Sequence, residues 1–270
     1  MSPDPALPAR YEIRTLGPEH AEWAKAIVTH SNAFGSPVWS VLWPGEQTVR
    51  AYKVFESLDH MVDHQIASGL SLGLFDTAYQ YKRPESAAAG GKLWWDTKDL
   101  GKDGDALLKQ MDFPLLSVAL AYDGAFPFDM ARIEPVAAVL PGYAESMHAL
   151  EGLDQRDPAA WKPTGPRQVL MRNSTVTKLD EGGKGLMAHL ARYMMRRAAE
   201  QGFRGIQIEA FHDAVTAVWS NPPPPFKGQI VSRLNAWTWG LENEKGETVY
   251  MLRPSKQDLS KIYVTLREEA

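Results

Sequence analysis

The sequence contains no cysteine, which excludes disulfide bridges, thiolate metal ligands and a cysteine nucleophile. No apolar run approaches the ~18–20 residues that a membrane-spanning helix needs. The net charge is −4, with 29 basic and 33 acidic residues, so the excess of basic charge typical of a dedicated nucleic-acid binder is missing. We therefore expect neither nucleic acid nor a membrane as partner.

The N-terminal sequence MSPDPALPARYEIR carries prolines and charges where a secretory signal has an apolar core. We expect residues 1–10 to be a disordered lead and the protein to be cytoplasmic. The composition, 44% hydrophobic and 23% charged, is that of a globular protein. The length fits one large domain or two small ones.

Hydrophobic periodicity predicts a mixture of strands and helices. The strands are predicted at residues 11–16, 71–76, 92–95, 168–176, 206–210 and 261–266, with 233–242 and 247–252 flanking a hairpin turn at 243–246. The helices are predicted at 19–29, 46–67, 130–150 with proline interruptions, 185–201 and 212–219. Residues 36–44 are predicted to form an ordered loop and the SAAAGG segment a compositional loop, whereas residues 113–122 fit either a buried strand or part of a helix.

A glycine-rich segment, Glu181-Gly182-Gly183-Lys184-Gly185-Leu186, lies between a predicted strand and a long predicted helix. Glycines permit close approach of the backbone, and a helix N-terminus presents free N–H groups, so this segment can hold a phosphate or pyrophosphate. An ordinary glycine-rich turn is the competing interpretation. The Walker pattern fails, because residue 178 is lysine and residue 185 is not Ser or Thr.

A dinucleotide fingerprint is matched literally by Gly183, Gly185 and Ala188. Residues 177–182 separate it from its strand, however, and the chain after Ala210 has the pattern of hairpins rather than of further βα units. A dinucleotide-binding oxidoreductase therefore stays as a third hypothesis.

Residues 172–219 resemble the acetyl-CoA-binding core of the GNAT N-acetyltransferase superfamily, and the chain resembles its uncharacterised fungal members. That family combines a strand, a Q/R-x-x-G-x-G/A loop, a long helix, a Gly-Phe pair and a second strand. The loop aligns with residues 182–187 and the pair with Gly202-Phe203. Gly182 and Met187 depart from the loop pattern, and Trp219 stands where the family usually has a tyrosine that protonates the leaving thiolate.

The resemblance implies an α+β fold with a central, mostly antiparallel, splayed sheet flanked by helices. It implies a single domain over residues 11–270, in which an insertion at about 96–166 precedes the acyl-CoA-binding core at 168–220. A C-terminal hairpin and strand follow at about 230–268.

The resemblance also implies an N-acyltransferase, in the first place an N-acetyltransferase, in which an amine attacks acetyl-CoA directly in a ternary complex. We expect the acceptor to be a small molecule, with a protein amine as the other possibility. The residues expected to bind the acyl-CoA co-substrate are Ser174, Thr175, Val176, Gly182, Gly183, Lys184, Gly185, Leu186, Met187 and Trp219, with Lys178 beside Lys184 as a second cation for the phosphates.

Three residues near the end of the second core strand are candidate general bases: Glu209, His212 and Asp213. Each has a structural alternative, as a solvated carboxylate for Glu209 and as a helix cap for His212 and Asp213. Carboxylates beside aromatics suggest an amine pocket, and its candidate residues are Tyr122, Asp123, Asp129, Trp237 and Trp239.

No metal is expected, since His60 and His64 are four residues apart without an evident third ligand. A homodimer is compatible with the sequence but not indicated by it. The departures at Gly182, Met187 and Trp219 keep a second hypothesis open, a GNAT-fold protein that binds acyl-CoA as a sensor or scaffold without transferring the acyl group.

Overall fold

The structure is a computed structural model that describes residues 6–140 and 142–267. The first five residues of the predicted lead, and the end of the predicted C-terminal segment beyond residue 267, lie outside the described residues. The strands are β1 Tyr11–Thr15, β2 Leu72–Asp76, β3 Lys92–Leu93, β4 Met111–Asp112, β5 Leu115–Asp123, β6 Val169–Thr177, β7 Gly205–Ala210, β8 Lys227–Asn235, β9 Leu241–Glu242, β10 Thr248–Val249 and β11 Asp258–Thr265. The helices are α1 Ala21–Gly35, α2 Trp39–Leu42, α3 Gln47–Ser57, α4 Asp59–Ala67, α5 Pro84–Ala89, α6 Gly104–Lys109, α7 Glu134–Val139, α8 Tyr143–Gly152, α9 Pro158–Trp161, α10 Leu186–Glu200 and α11 Asp213–Ser220.

A seven-stranded sheet forms the centre of the molecule, in the order β1-β2-β5-β6-β7-β11-β8. Among the described strands of this sheet, β6 and β7 are the parallel neighbours and the other neighbouring pairs are antiparallel. The mixed, mostly antiparallel class predicted from the sequence is confirmed. It differs from the parallel, doubly wound sheet that the dinucleotide hypothesis requires.

Helices cover both faces of this sheet and bury two apolar clusters. On one face α10 and α11 pack Leu190, Met194 and Trp219 against the sheet. On the other face α1, α4 and α8 contact the strands, with Ile27 and Leu150 in the core. The apolar positions of α10 recur at helical spacing, which is why its bounds follow the predicted helix closely.

Several predicted elements are corrected by the structure. The helix predicted over residues 46–67 is two helices, α3 and α4, separated at Leu58. The SAAAGG segment is mostly helix α5, because Pro84 suits a first turn, alanine favours helix, and Gly90 ends it at φ 71°. The loop predicted over residues 36–44 contains the short helix α2.

The ambiguous apolar run is strand β5, which is buried along its whole length. Residues 96–166, the expected insertion, therefore supply a central strand of the sheet as well as α6 to α9. The hairpin at 243–246 is confirmed by the pairing of β9 with β10. The strand predicted at 233–242 is confirmed only at its two ends, because β8 ends at Asn235, a turn follows, and β9 begins at Leu241.

No helix within residues 6–140 and 142–267 combines the length and the apolar character required to span a membrane.

A buried ion pair fixes the segment after α8 to the sheet. Lys261, on β11, is 1% exposed, and its ammonium lies 3.0 Å from Oδ2 of Asp154. Arg156 donates to the same carboxylate at 2.6 Å. Burial raises the pKa of Asp154, but the hydrogen bonds from Arg156 and Lys261 outweigh it and hold that pKa at about 2.

We predict that Asp154→Ala lowers the free energy of unfolding by about 3–5 kcal/mol at neutral pH, because it leaves a buried ammonium unpaired. Because the folded-state pKa of Asp154 is depressed, its contribution in the wild type is present above about pH 4 and is lost as the pH falls towards 2. Urea denaturation across this pH range is the measurement. The exposed Asp63→Ala is the control, expected to change stability by under about 0.5 kcal/mol, and an Asp154→Ala effect no larger than that would contradict the account.

Candidate active site

The parallel pairing of β6 with β7 stops partway along both strands. It runs from Val169 opposite Gly205 to Arg172 opposite Ile208, and both strands continue beyond that point. The antiparallel register of β6 with β5 skips Asn173 at the same place, which makes a β-bulge. A bulge bends its strand, so β6 turns away from β7 and the sheet opens into a gap.

A cavity of about 550 Å³ occupies this gap and passes to both sides of the sheet. The glycine-rich loop lines one end, and the separated parts of β6 and β7 line the middle. Residues from α1, α2, α4, α7 and α8 line the other end. The cavity therefore connects a backbone loop with an apolar chamber through the break in the sheet.

The glycine-rich loop presents backbone amides to the cavity. Gly183 and Gly185 have φ values of 75° and 74°, and a Cβ at either position would meet no atom within 4 Å. The N–H groups of residues 183–187 donate to no described residue, and α10 begins without a side-chain cap. Free amides at a helix N-terminus attract anions, so this end of the cavity is suited to a pyrophosphate.

The separated part of β6 supplies the middle wall. Asn173, Ser174, Thr175 and Val176 line the cavity beyond the last paired residue, so this edge of β6 faces the gap instead of β7. An extended ligand that carries amide groups can hydrogen-bond along such an edge.

Solved structures with the same architecture include a condensation domain and two N-acetyltransferases. The C-terminal condensation domain of Ebony, solved in complex with beta-alanyl-dopamine, aligns with a TM-score of 0.61 at 14% identity, over 94% of this chain and 97% of that one. Arylalkylamine N-acetyltransferase 2 from Aedes aegypti aligns with a TM-score of 0.55 at 11% identity, over 95% of this chain and 99% of that one. An agmatine N-acetyltransferase aligns with a TM-score of 0.53 at 10% identity, over 95% of this chain and 99% of that one.

The chain has the GNAT fold. No protein-family model matches the sequence, and no curated protein sequence matches it.

Most residues that the sequence analysis assigned to acyl-CoA lie where the GNAT fold opens. The predicted residues that line the cavity are Ser174, Thr175, Val176, Gly182, Gly183, Gly185, Leu186 and Met187. Lys184 lies in the loop itself and is ion-paired to Glu181, 2.6 Å away. Lys178 was predicted to lie beside the phosphates, but it does not line the cavity. It is buried, its ammonium donates to the carbonyl of Met111 at 2.9 Å, and burial lowers its pKa to about 8.

Trp219 does not contact the cavity. It is 0% exposed, packs in the core between α11 and the sheet, and its indole N–H has no partner among the described residues. The structure therefore gives it no place in direct contact with a ligand of the cavity. Arg172, whose guanidinium lies 5.4 Å from the centre of the Trp219 ring, does line the cavity, and the sequence analysis did not name it as a site residue.

Glu209 projects into the cavity from the open end of β7 and is half-buried. Its Oε1 accepts a hydrogen bond from Nε2 of Gln207 at 3.0 Å. Burial raises its pKa above the ordinary value, against the opposing charge of Arg172. A carboxylate with a raised pKa takes up a proton more readily near neutral pH, which suits a general base.

The two other predicted bases have structural roles. Nδ1 of His212 accepts from the amide of Ala214 at 3.0 Å and caps α11, so His212, not Asp213, is the N-cap. His212 lines the cavity, but the cap uses the lone pair of its ring. Asp213 is exposed, does not line the cavity and accepts from Nε2 of Gln257 at 2.6 Å.

The predicted amine-pocket residues lie away from the cavity. Tyr122 packs against Phe128 with ring centres 4.4 Å apart. Asp123 accepts from the amides of Ala125 and Arg167, and Asp129 caps a 3-10 turn. Trp237 and Trp239 lie in the turn after β8, not on a strand, so they share no strand face.

The chamber is walled instead by aromatic residues from three segments. Trp39 of α2 lies 5.9 Å from Phe211 and 6.4 Å from Tyr143 between ring centres. The hydroxyl of Tyr143 accepts from Nδ2 of Asn173 at 3.3 Å, and burial raises its pKa. The aromatic segment at 36–44 was the available sequence signal for Trp39, but no local pattern brings these three residues together.

Within the described ranges, no group of three or more His, Asp or Glu side chains is arranged to hold a metal ion.

We predict that His212→Ala lowers the free energy of unfolding by about 1 kcal/mol, because it removes an N-cap acceptor. His212→Asn keeps a side chain that can cap a helix and is expected to retain the wild-type value. Urea denaturation of both variants measures the difference. Equal stability of His212→Ala and wild type would show that the His212 side chain does not stabilise the helix as a cap.

Proposed function

We propose that the protein is an acyl-CoA-dependent N-acyltransferase, in the first place an N-acetyltransferase, that transfers an acetyl group from acetyl-CoA to the amine of a small molecule. The observation that carries the proposal is the single cavity in which free loop amides, the open edge of β6 and the carboxylate of Glu209 follow one another. The GNAT fold of its structural neighbours supports it.

The donor is expected to bind along the loop and β6. The amides of residues 183–187 suit its pyrophosphate, and the edge of β6 at residues 174–176 suits the amides of its pantetheine arm. Lys184 is placed to add positive charge to the loop if its pair with Glu181 opens.

The transfer requires a neutral amine, since an ammonium has no free electron pair. Glu209 takes a proton from the bound ammonium, and the amine nitrogen then attacks the thioester carbonyl. The C–N bond forms, the C–S bond breaks with its electron pair on sulfur, the nitrogen releases its second proton to solvent, and the thiolate takes up a proton from solvent. No covalent enzyme intermediate is needed, in keeping with the absence of cysteine.

The chamber beyond Glu209 supports a small acceptor with apolar or aromatic character. Trp39, Tyr143 and Phe211 wall it, together with aliphatic side chains from α4, α7 and α8. The neighbours are named for small amines, an arylalkylamine and agmatine, and the Ebony domain holds beta-alanyl-dopamine. These names support the class of acceptor and not a particular compound.

Acyl-CoA binding without transfer is the second candidate. Two observations favour it: Met187 lines the cavity next to the loop, and Trp219 offers no acidic proton at its position. Binding of acetyl-CoA without release of free thiol across a panel of amines would support this candidate over the enzyme.

We predict that Gly185→Leu abolishes stabilisation of the protein by acetyl-CoA, because the side chain enters open space at the loop. Gly69→Leu is the matched control, since Gly69 has a φ of 71° with nothing within 4 Å of an added Cβ and lies outside the cavity. Both variants carry a similar backbone strain of about 1–3 kcal/mol.

The measurement is the shift in melting temperature with acetyl-CoA, CoA, NAD and NADP. Loss of the acetyl-CoA shift in Gly185→Leu alone is the expected result. Stabilisation of the wild type by NAD or NADP but not by CoA compounds would overturn the proposed function.

We predict that Glu209→Gln lowers kcat by about 10²–10⁴-fold while acetyl-CoA still binds, because the amide cannot accept the proton of the ammonium. In the wild type kcat/KM rises with pH through a pKa above the usual range of a glutamate, the direction in which burial shifts Glu209. Thiol release measures both effects. The exposed Glu85→Gln is the control, and full activity of Glu209→Gln would assign the base elsewhere.

A further inference from the structure

Arg172 is a buried cation whose hydrogen-bonding capacity is mostly unused. It occupies the last paired position of β6, is 3% exposed and lines the cavity. Of the five N–H groups that an arginine carries, one on Nη2 donates to the carbonyl of Glu209 at 3.2 Å. Nε is buried and has no hydrogen-bond partner, and no carboxylate oxygen lies within 4 Å of the guanidinium, among the described residues.

A buried charge in this position costs folding free energy unless an anion pairs with it. Burial lowers the pKa of Arg172 only to about 10, so the guanidinium stays charged at neutral pH. The charge of Glu209 acts on it from a distance, and the ring of Trp219 offers one face at 5.4 Å. Neither satisfies the free N–H groups, whereas a carboxylate accepts from them with charge-assisted hydrogen bonds.

We propose that the cavity binds a carboxylate at Arg172. This inference rests on the proposed function and narrows its substrate class. The carboxylate belongs either to the acceptor, which is then an amino-acid-like zwitterion whose ammonium faces Glu209, or to the acyl chain, which is then a dicarboxylic acyl group. Both sources use the same site, because Arg172 and Glu209 border the cavity together where β6 leaves β7.

Two matched ligand pairs separate the sources. Tyrosine and tyramine differ by the carboxylate of the acceptor and suit an aromatic chamber. Succinyl-CoA and butyryl-CoA differ by the carboxylate of the acyl chain. We expect the wild type to favour the carboxylate member of one pair by about tenfold or more in kcat/KM, the size of a charge-assisted hydrogen bond.

The variants are Arg172→Gln, Arg172→Lys and, as control, Arg14→Gln, which removes a half-exposed arginine paired with Glu12 on β1. Arg172→Gln is expected to abolish the preference, Arg172→Lys to keep part of it, and Arg14→Gln to leave it unchanged. Loss of charge near Glu209 should also raise the pKa that governs kcat/KM in Arg172→Gln, because Arg172 lowers the pKa of Glu209.

A binding measurement decides the inference without turnover. Melting shifts of wild type and Arg172→Gln are recorded with each of the four ligands, so the inference is tested even if the proposed transfer fails. A larger shift with tyrosine than with tyramine, or with succinyl-CoA than with butyryl-CoA, that is lost in Arg172→Gln supports the site. The inference is overturned if neither pair discriminates in the wild type, if the preference survives in Arg172→Gln, or if that variant loses all four ligands equally.

Discussion

The end of the parallel pairing between β6 and β7 is the constraint on which the rest of the structure depends. Two neighbouring strands normally satisfy each other's backbone groups along their whole length. Here the bulge at Asn173 turns β6 away after Arg172, and the unpaired edge borders a cavity instead of a strand. Helices on both sides of the sheet then close the opening into a passage.

The break in the sheet also explains where the charged groups lie. Arg172 and Glu209 stand at its apex, where the two strands begin to diverge, and one hydrogen bond joins them through the Glu209 carbonyl. Both residues line the cavity, so under the proposed function their desolvation serves recognition and proton transfer as well as being a cost to stability.

The order of elements in the core could be predicted from the sequence because local patterns determine it. The alternation in β7, the helical spacing in α10 and the glycines of the loop are all short-range signals, and the structure reproduces them within a few residues. The cap of α11 was predicted to within one residue, since His212 and Asp213 were both candidates and His212 is the N-cap.

The chamber could not be predicted because its walls come from segments far apart in the chain. Trp39, Tyr143 and Phe211 are brought together only by the folded sheet. Without that information, Trp237 and Trp239 were predicted for the pocket, and neither lines it. Arg172 carried no signal, since an arginine on a strand is ordinarily exposed and only the fold shows it buried beside Glu209. Helix α5 was missed for another reason, because alanine bias was interpreted as low complexity and not as helix propensity.

Hydrogen–deuterium exchange with and without acetyl-CoA tests the central claim most directly, because it reports on the backbone amides that the gap leaves unpaired. We predict slower exchange, on adding acetyl-CoA, in the loop amides at 183–187 and along β6 at 173–177, with NAD giving no such protection. Protection by acetyl-CoA confined to other parts of the chain, or protection of the loop by NAD alone, would contradict it.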